Sequence, residues 1–270
     1  MVRNGRDCLR PLSLFLLRLV YKKRRGQSCA SSGPRARDCR RDVGMPECRG
    51  EGAKNMEPQI DLRVAELLAS RLCHDLVGPV GAVGNGLELL EDEIGDMAGD
   101  ALALAAQSAA RAATTLQFFR FAYGMAGSRL DGGVTELRDL ADRFLAKDRV
   151  ALDWKVDALP DGAPQDLGKV ILNLVLMALD SLVGGGTVRV AIEAGPGEEG
   201  RQLVVEAHGD RAELREEIAL ALGDDVAVGD LTPRNAHVYF TRLLARRLGS
   251  DLDTATSDGR TVRLNVALPG

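Results

Sequence analysis

Residues 67–93 read LLASRLCHDLVGPVGAVGNGLELLEDE, and their spacing decides the fold. Leu68, Leu72, Leu76, Val80, Val83, Leu87 and Leu90 step by 4, 4, 4, 3, 4 and 3, one continuous apolar stripe at helical period. His74 stands two residues from both Leu72 and Leu76. At 100° per residue it points about 200° away from the stripe, toward solvent. Its neighbours on that face are Ser70, Arg71, Gly78, Gly81 and Asn85. The two glycines leave the imidazole open to something flat, and Arg71, one turn earlier, is expected to hold a phosphoryl oxygen through its planar fork. An imidazole titrates near neutrality, so a nucleophilic neutral ring nitrogen is available. Asp75 does not share the face of His74, but in a suitable rotamer it could orient or deprotonate the ring.

Outward from this stretch, Gly95-Asp96 and Gly99 break the pattern. A second helix is predicted from about Asp100 to Tyr123, with Leu102, Ala106, Ala109, Ala113, Leu116, Phe119 and Tyr123 on one face. Two helices joined by a short loop make an antiparallel hairpin. A hairpin cannot bury so long a stripe alone, so a second copy is expected, giving a four-helix bundle across a homodimer. The alternative is a monomeric hairpin packed on the C-terminal domain. Gly127-Ser128 and Asp131-Gly132-Gly133 mark a boundary. Beyond it the pattern predicts helix 135–146, strand 151–156, helix 164–182, strands 187–193 and 202–207, helices 211–222 and 235–248, and strands 251–255 and 260–267. The last two strands read as a hairpin across Ser257-Asp258-Gly259. The expected architecture is a helical hairpin (57–128) followed by an α/β sandwich (131–270) with one layer of sheet and one of helices.

Composition narrows the function. Residues 1–55 hold fourteen Lys/Arg against five Asp/Glu, a net +9, which leaves −13 for residues 56–270 of a chain at −4 overall. An acidic body lacks the basic footprint that nucleic-acid binding needs. The basic head, 1–56, reads as an unstructured tail or an over-extended translation start, since Met45 and Met56 both lie just before the regular pattern. Its apolar stretch Leu12–Val20 is interrupted by Arg18, is too short to span a membrane, and has no small-x-small site close behind it. Four of the five cysteines, Cys8, Cys29, Cys39 and Cys48, lie in this head without metal-ligand spacing. A reducing, cytoplasmic setting is expected, with no membrane partner.

His74-Asp75-Leu76-x-x-Pro79 resembles the phosphoacceptor box of sensor histidine kinases, in which an acidic residue, Leu and a later Pro follow the histidine. More closely, residues 56–270 resemble the ChpT family of histidine phosphotransferases. That resemblance implies a homodimer with a degenerate histidine-kinase ATPase-like domain. It also implies that the protein takes phosphate from the receiver domain of a CckA-like hybrid kinase and passes it to CtrA-like and CpdR-like response regulators. His74 and Asp75 would then be the catalytic pair, while Ser70, Arg71, Gly78, Gly81 and Asn85 would meet the phosphoryl group or the partner.

The kinases that this family resembles bind Mg-ATP through an Asn-x-x-x-Asn helix and glycine-rich boxes. Here Asn173 matches the first position, but Met177 replaces the magnesium-holding Asn, and a thioether is a poor ligand for a hard cation. His208-Gly209-Asp210-Arg211-Ala212 and Thr232-Pro233-Arg234-Asn235-Ala236 lack the residues of the two later boxes. No cofactor of the protein's own is expected, the magnesium coming with the receiver. The rival readings are a non-catalytic dimeric adaptor for receivers and an ATP-dependent kinase. Gly78, Gly81, Gly84 and Gly86 fit no phosphate-loop spacing. Cys73 is expected to be a packed thiol, His208 a loop residue and His237 a helix-surface residue. Gly78, where related kinase-phosphatases place Thr or Asn, cannot orient a water.

Overall fold

The computed structural model describes residues 61–92, 98–125, 133–160, 162–195 and 200–268. The basic head, the break at Gly95-Asp96 and the junction residues 127–132 lie outside them.

Helix α1 (Leu62–Asp92) runs unbroken for 31 residues, about 46 Å at 1.5 Å per residue. Pro79 lies inside it and has no N–H, so the Asp75 carbonyl loses its helical partner. Helix α2 (Ala98–Ala122) packs along α1. The contact is very close at Gly86, where a Cβ would stand 3.0 Å from the Ala101 carbonyl and 3.0 Å from the Ala105 Cβ. Small residues therefore fill the α2 side of the contact, with Ala101, Ala105 and Ser108 buried. Of the face expected for α2, Phe119 is buried and Tyr123 half-buried, whereas the rest turns outward. Leu102 is 59% exposed and Leu116 52% exposed, and Ala106, Ala109 and Ala113 are exposed with them. The inward face is rotated by about one residue, because Gly86 admits a backbone and a leucine would hold it away. The α1 stripe also divides. Leu68 is buried at the base, whereas Val80 and Leu87 are exposed, as is Val77 beside the stripe.

The remaining chain is an α/β sandwich, as the pattern predicted. Its elements are α3 (Gly133–Ala146), β1 (Val150–Lys155), α4 (Leu167–Ser181), β2 (Gly186–Ala194), β3 (Arg201–His208), α5 (Glu216–Leu222), α6 (Ala236–Arg247), β4 (Leu252–Ser257) and β5 (Thr261–Leu268). The five strands form a mixed sheet in the order β1-β2-β3-β5-β4. Only β1 and β2 are parallel, joined through α4, and the other neighbours are antiparallel. The turn into β5 uses Asp258 (φ 56°) and Gly259 (φ 62°), residues that tolerate the left-handed region. One sheet face buries Val188, Val190, Leu203, Val205, Val262, Leu264 and Val266. The other carries a charged lattice in which Arg263 bridges Glu193 and Glu206, both at 2.7 Å.

Helix α4 lies at the centre of the helical layer and is buried from Leu167 to Ala178. The core continues from it into the hairpin base. Phe144 of α3 stacks on Phe118 of α2 with ring centroids 3.7 Å apart, and Val64 and Leu68 of α1 join the same cluster. The hairpin and the sheet domain are thus one packed body, which fixes α1 against the C-terminal domain.

Candidate functional site

His74 projects from the middle of α1 with its side chain 85% exposed, as the opposed stripe requires. Its Nδ1 donates to Asp75 Oδ1 at 3.2 Å, so the rotamer on which Asp75 depended is the one adopted. A carboxylate offers only acceptors, so the proton of the neutral ring sits on Nδ1 and the Nε2 lone pair faces solvent. The glycines at positions 78 and 81 keep the approach open, for a Cβ at either would meet nothing within 4 Å. Ser70 is exposed, its hydroxyl bonded back to the Glu66 carbonyl at 2.9 Å. Asn85 is also exposed, but eleven helical residues place it about 16 Å from His74 along the axis, beyond one phosphoryl group. Cys73 is exposed, not packed as expected, because it sits on the shoulder of the histidine face.

Arg71 is the main correction. Its side chain is only 11% exposed and turns into the C-terminal domain. Nη2 donates to both oxygens of Asp180 at 3.1 and 2.8 Å, and Nη1 donates to the Arg234 carbonyl and to His237 Nδ1, both at 2.9 Å. The fork expected to hold phosphate is spent on the half-buried Asp180 carboxylate. His237, expected on a helix surface, is fully buried. Guanidinium groups have no acceptor, so Nδ1 must be the accepting nitrogen and Nε2 carries the proton, 3.3 Å from Asp180 Oδ2. Burial, with the Arg71 charge second, pushes the His237 ring below its ordinary range. Burial works against the Asp180 carboxylate too, but the His237 ring beside it and the Arg71 charge outweigh it and bring the group down to about 2. Breaking one partner of such a pair costs about 3–5 kcal/mol.

A cleft of about 570 Å³ opens beside His74, between α1 and the C-terminal domain. Ser70, His74 and Asp75 line one wall, and Arg215, Glu217, Thr232 and Arg234 line the other. Face counting on α1 could not find the second wall. The one signal for Asp180 was a lone carboxylate at the end of an apolar helix, which calls for a buried cation.

Asn173 and Met177 both stand on α4. Asn173 is fully buried, and its amide donates to the Ala122 and Lys169 carbonyls at 2.9 and 2.8 Å. Met177 is fully buried one turn later. His208 ends β3, exposed, with Nδ1 3.0 Å from Thr261 Oγ1.

An exposed histidine thus stands on a two-helix hairpin docked on a sheet-and-helix domain. A solved structure described as that of a bacterial phosphotransferase is similar over 78% of this chain and 98% of its own, with a TM-score of 0.64 and 25% identity. Residues 134–260 match the model of the histidine phosphotransferase C-terminal domain. The protein phosphotransferase ChpT of Brucella abortus (strain 2308) is 37% identical over 139 residues, 49% of this chain. The match spans 62% of that relative's length.

Proposed function

We propose that this protein is a histidine phosphotransferase in a multistep phosphorelay, with His74 as the residue phosphorylated. The observation that carries the reading is the solvent-facing Nε2 of a histidine whose Nδ1 is held by Asp75, beside a cleft with two arginines on its far wall. Nε2 attacks the phosphorus of a receiver aspartyl phosphate. The P–N bond forms as the acyl P–O bond breaks, and its electron pair leaves on the receiver's carboxylate. The ring becomes cationic, and its Nδ1 proton is shared with Asp75 and then lost to solvent. The reverse sequence passes the group to a second receiver. The magnesium and acidic pocket arrive with the receiver, so this chain supplies nucleophile, orientation and docking surface.

Within the family reading, the donor is a CckA-like hybrid kinase receiver and the acceptors are CtrA-like and CpdR-like regulators. No ATP is used, since the buried Asn173 and Met177 offer magnesium nothing. Two copies pair through the outward faces of α1 and α2, where Val80, Leu87, Leu102 and Leu116 are exposed, to form the four-helix bundle. No helix among the described residues is long and apolar enough to cross a membrane.

The test is to incubate the purified chain with a labelled phospho-receiver and, separately, with labelled ATP. Label is expected on wild type from the receiver, none on His74→Ala, and none from ATP. Receiver binding without any label on the wild type would favour the adaptor reading instead.

A further inference from the structure

The contacts of Arg71 form a chain from the C-terminal domain to the phosphoacceptor. Asp180 of α4, His237 of α6 and the Arg234 carbonyl before α6 take the hydrogens of Nη1 and Nη2. The remaining donor, Nε, is buried with no hydrogen-bond partner and stands 3.9 Å from Asp75 Oδ2. The other oxygen of Asp75 is the one that meets His74 Nδ1. Adjacent helical residues diverge, so His74 and Asp75 touch in only some rotamers, and an exposed pair of this kind holds itself poorly. A cation fixed on the far side of Asp75 supplies the bias that the pair lacks.

We propose that Asp180 and His237 are positioning residues for His74, acting through Arg71 and Asp75. The C-terminal domain clamps the guanidinium, the guanidinium holds Asp75, and Asp75 keeps the imidazole proton on Nδ1 with Nε2 free. The inference rests on the phosphotransfer reading, because it is a phosphoacceptor that needs one defined tautomer. It also gives a domain whose nucleotide boxes have decayed a part in the chemistry.

The chain has three histidines, so nitrogen-labelled histidine gives a short NMR spectrum in which His74 is assigned by its loss in His74→Ala. In the full chain without receiver, neutral His74 is expected to be protonated on Nδ1. Asp75→Ala sets the signal of a ring without its partner. Asp180→Asn is expected to move His74 most of the way to that signal while the far-UV spectrum stays unchanged. At saturating phospho-receiver its rate of His74 phosphorylation falls by about 10- to 100-fold, with KM unchanged. The double variant Asp75→Ala/Asp180→Asn is no slower than Asp75→Ala, because both act through one contact. His237→Asn, which keeps an acceptor, retains most of the rate, and His237→Phe does not. If Asp180→Asn does not fold, His237→Phe carries the same measurements. A His74 signal unmoved in both variants, or losses that multiply in the double variant, would overturn the proposal and leave the cluster a plain clamp. The NMR arm needs no receiver, so a wild type that accepts no phosphate counts against the phosphotransfer reading alone.

Discussion

His237 is the residue whose surroundings depart furthest from what its sequence position suggests. It is fully buried against a guanidinium, and its folded state is neutral. The unfolded chain takes up a proton as pH falls through the ordinary histidine range near 6.5, and the folded chain does not. The unfolded state then binds more protons, so stability falls with acid, by up to about 1.4 kcal/mol per pH unit. Denaturant unfolding followed between about pH 7 and pH 5 should show this loss in wild type and a flatter profile in His237→Asn. Equal slopes would mean that the folded ring takes up its proton as the unfolded one does. Asp180 acts in a lower window. Its folded value is depressed from 3.8 to about 2, so its contribution is complete above the first value and drains away as pH falls toward the second. Neither residue is legible along the chain. Arg71 sits beside His74 on its own helix face, whereas the partners that decide its role lie 109 and 166 residues away. His74 itself is legible, because the stripe that turns it outward is local.

At the scale of elements, the helices and strands follow the periodicity to within three residues, except that α5 begins at Glu216 and not at 211, but the partner of each apolar face does not follow it. An alternation shows that a face wants burial and is silent about which surface buries it. On α2 the leucines Leu102 and Leu116 mark the expected face, yet the small residues one position earlier meet α1. Glycines show the same contrast. Gly86→Leu forces a side chain into the Ala101–Ala105 contact and should cost about 1–3 kcal/mol, read as a lower denaturation midpoint. Gly78→Ala meets open space in a helix and should gain about 0.5–1 kcal/mol. If the open approach to His74 matters, the same Gly78→Ala change slows phosphotransfer while stabilising the fold. The exposed leucines carry the dimer proposal. Leu116→Glu should lower the sedimentation mass toward one copy, and a variant that sediments as wild type would remove α2 from the interface.

At the scale of the whole molecule, the hairpin and the C-terminal domain share a core, so the boundary seen in the sequence is not a boundary in packing. Phe144 belongs to the C-terminal domain by position but stacks on Phe118 of the hairpin, and Asn173 of α4 ties its amide to the Ala122 carbonyl at the end of α2. The single tryptophan, Trp154, sits on β1 and reports on the sheet, its Nε1 donating to the Val156 carbonyl at 2.8 Å. The helical signal in the far-UV spectrum reports largely on α1 and α2, the two longest helices among the described residues. With separate cores these two probes would melt in two steps. With the continuous core they should coincide in one transition, and Phe144→Ala should shift both midpoints together at a cost of about 3–5 kcal/mol. A fluorescence midpoint that moves while the helical midpoint stays would show that the hairpin stands without its domain. The clamp on Arg71 could not then transmit anything to His74, because the two bodies it joins would not keep a fixed relation.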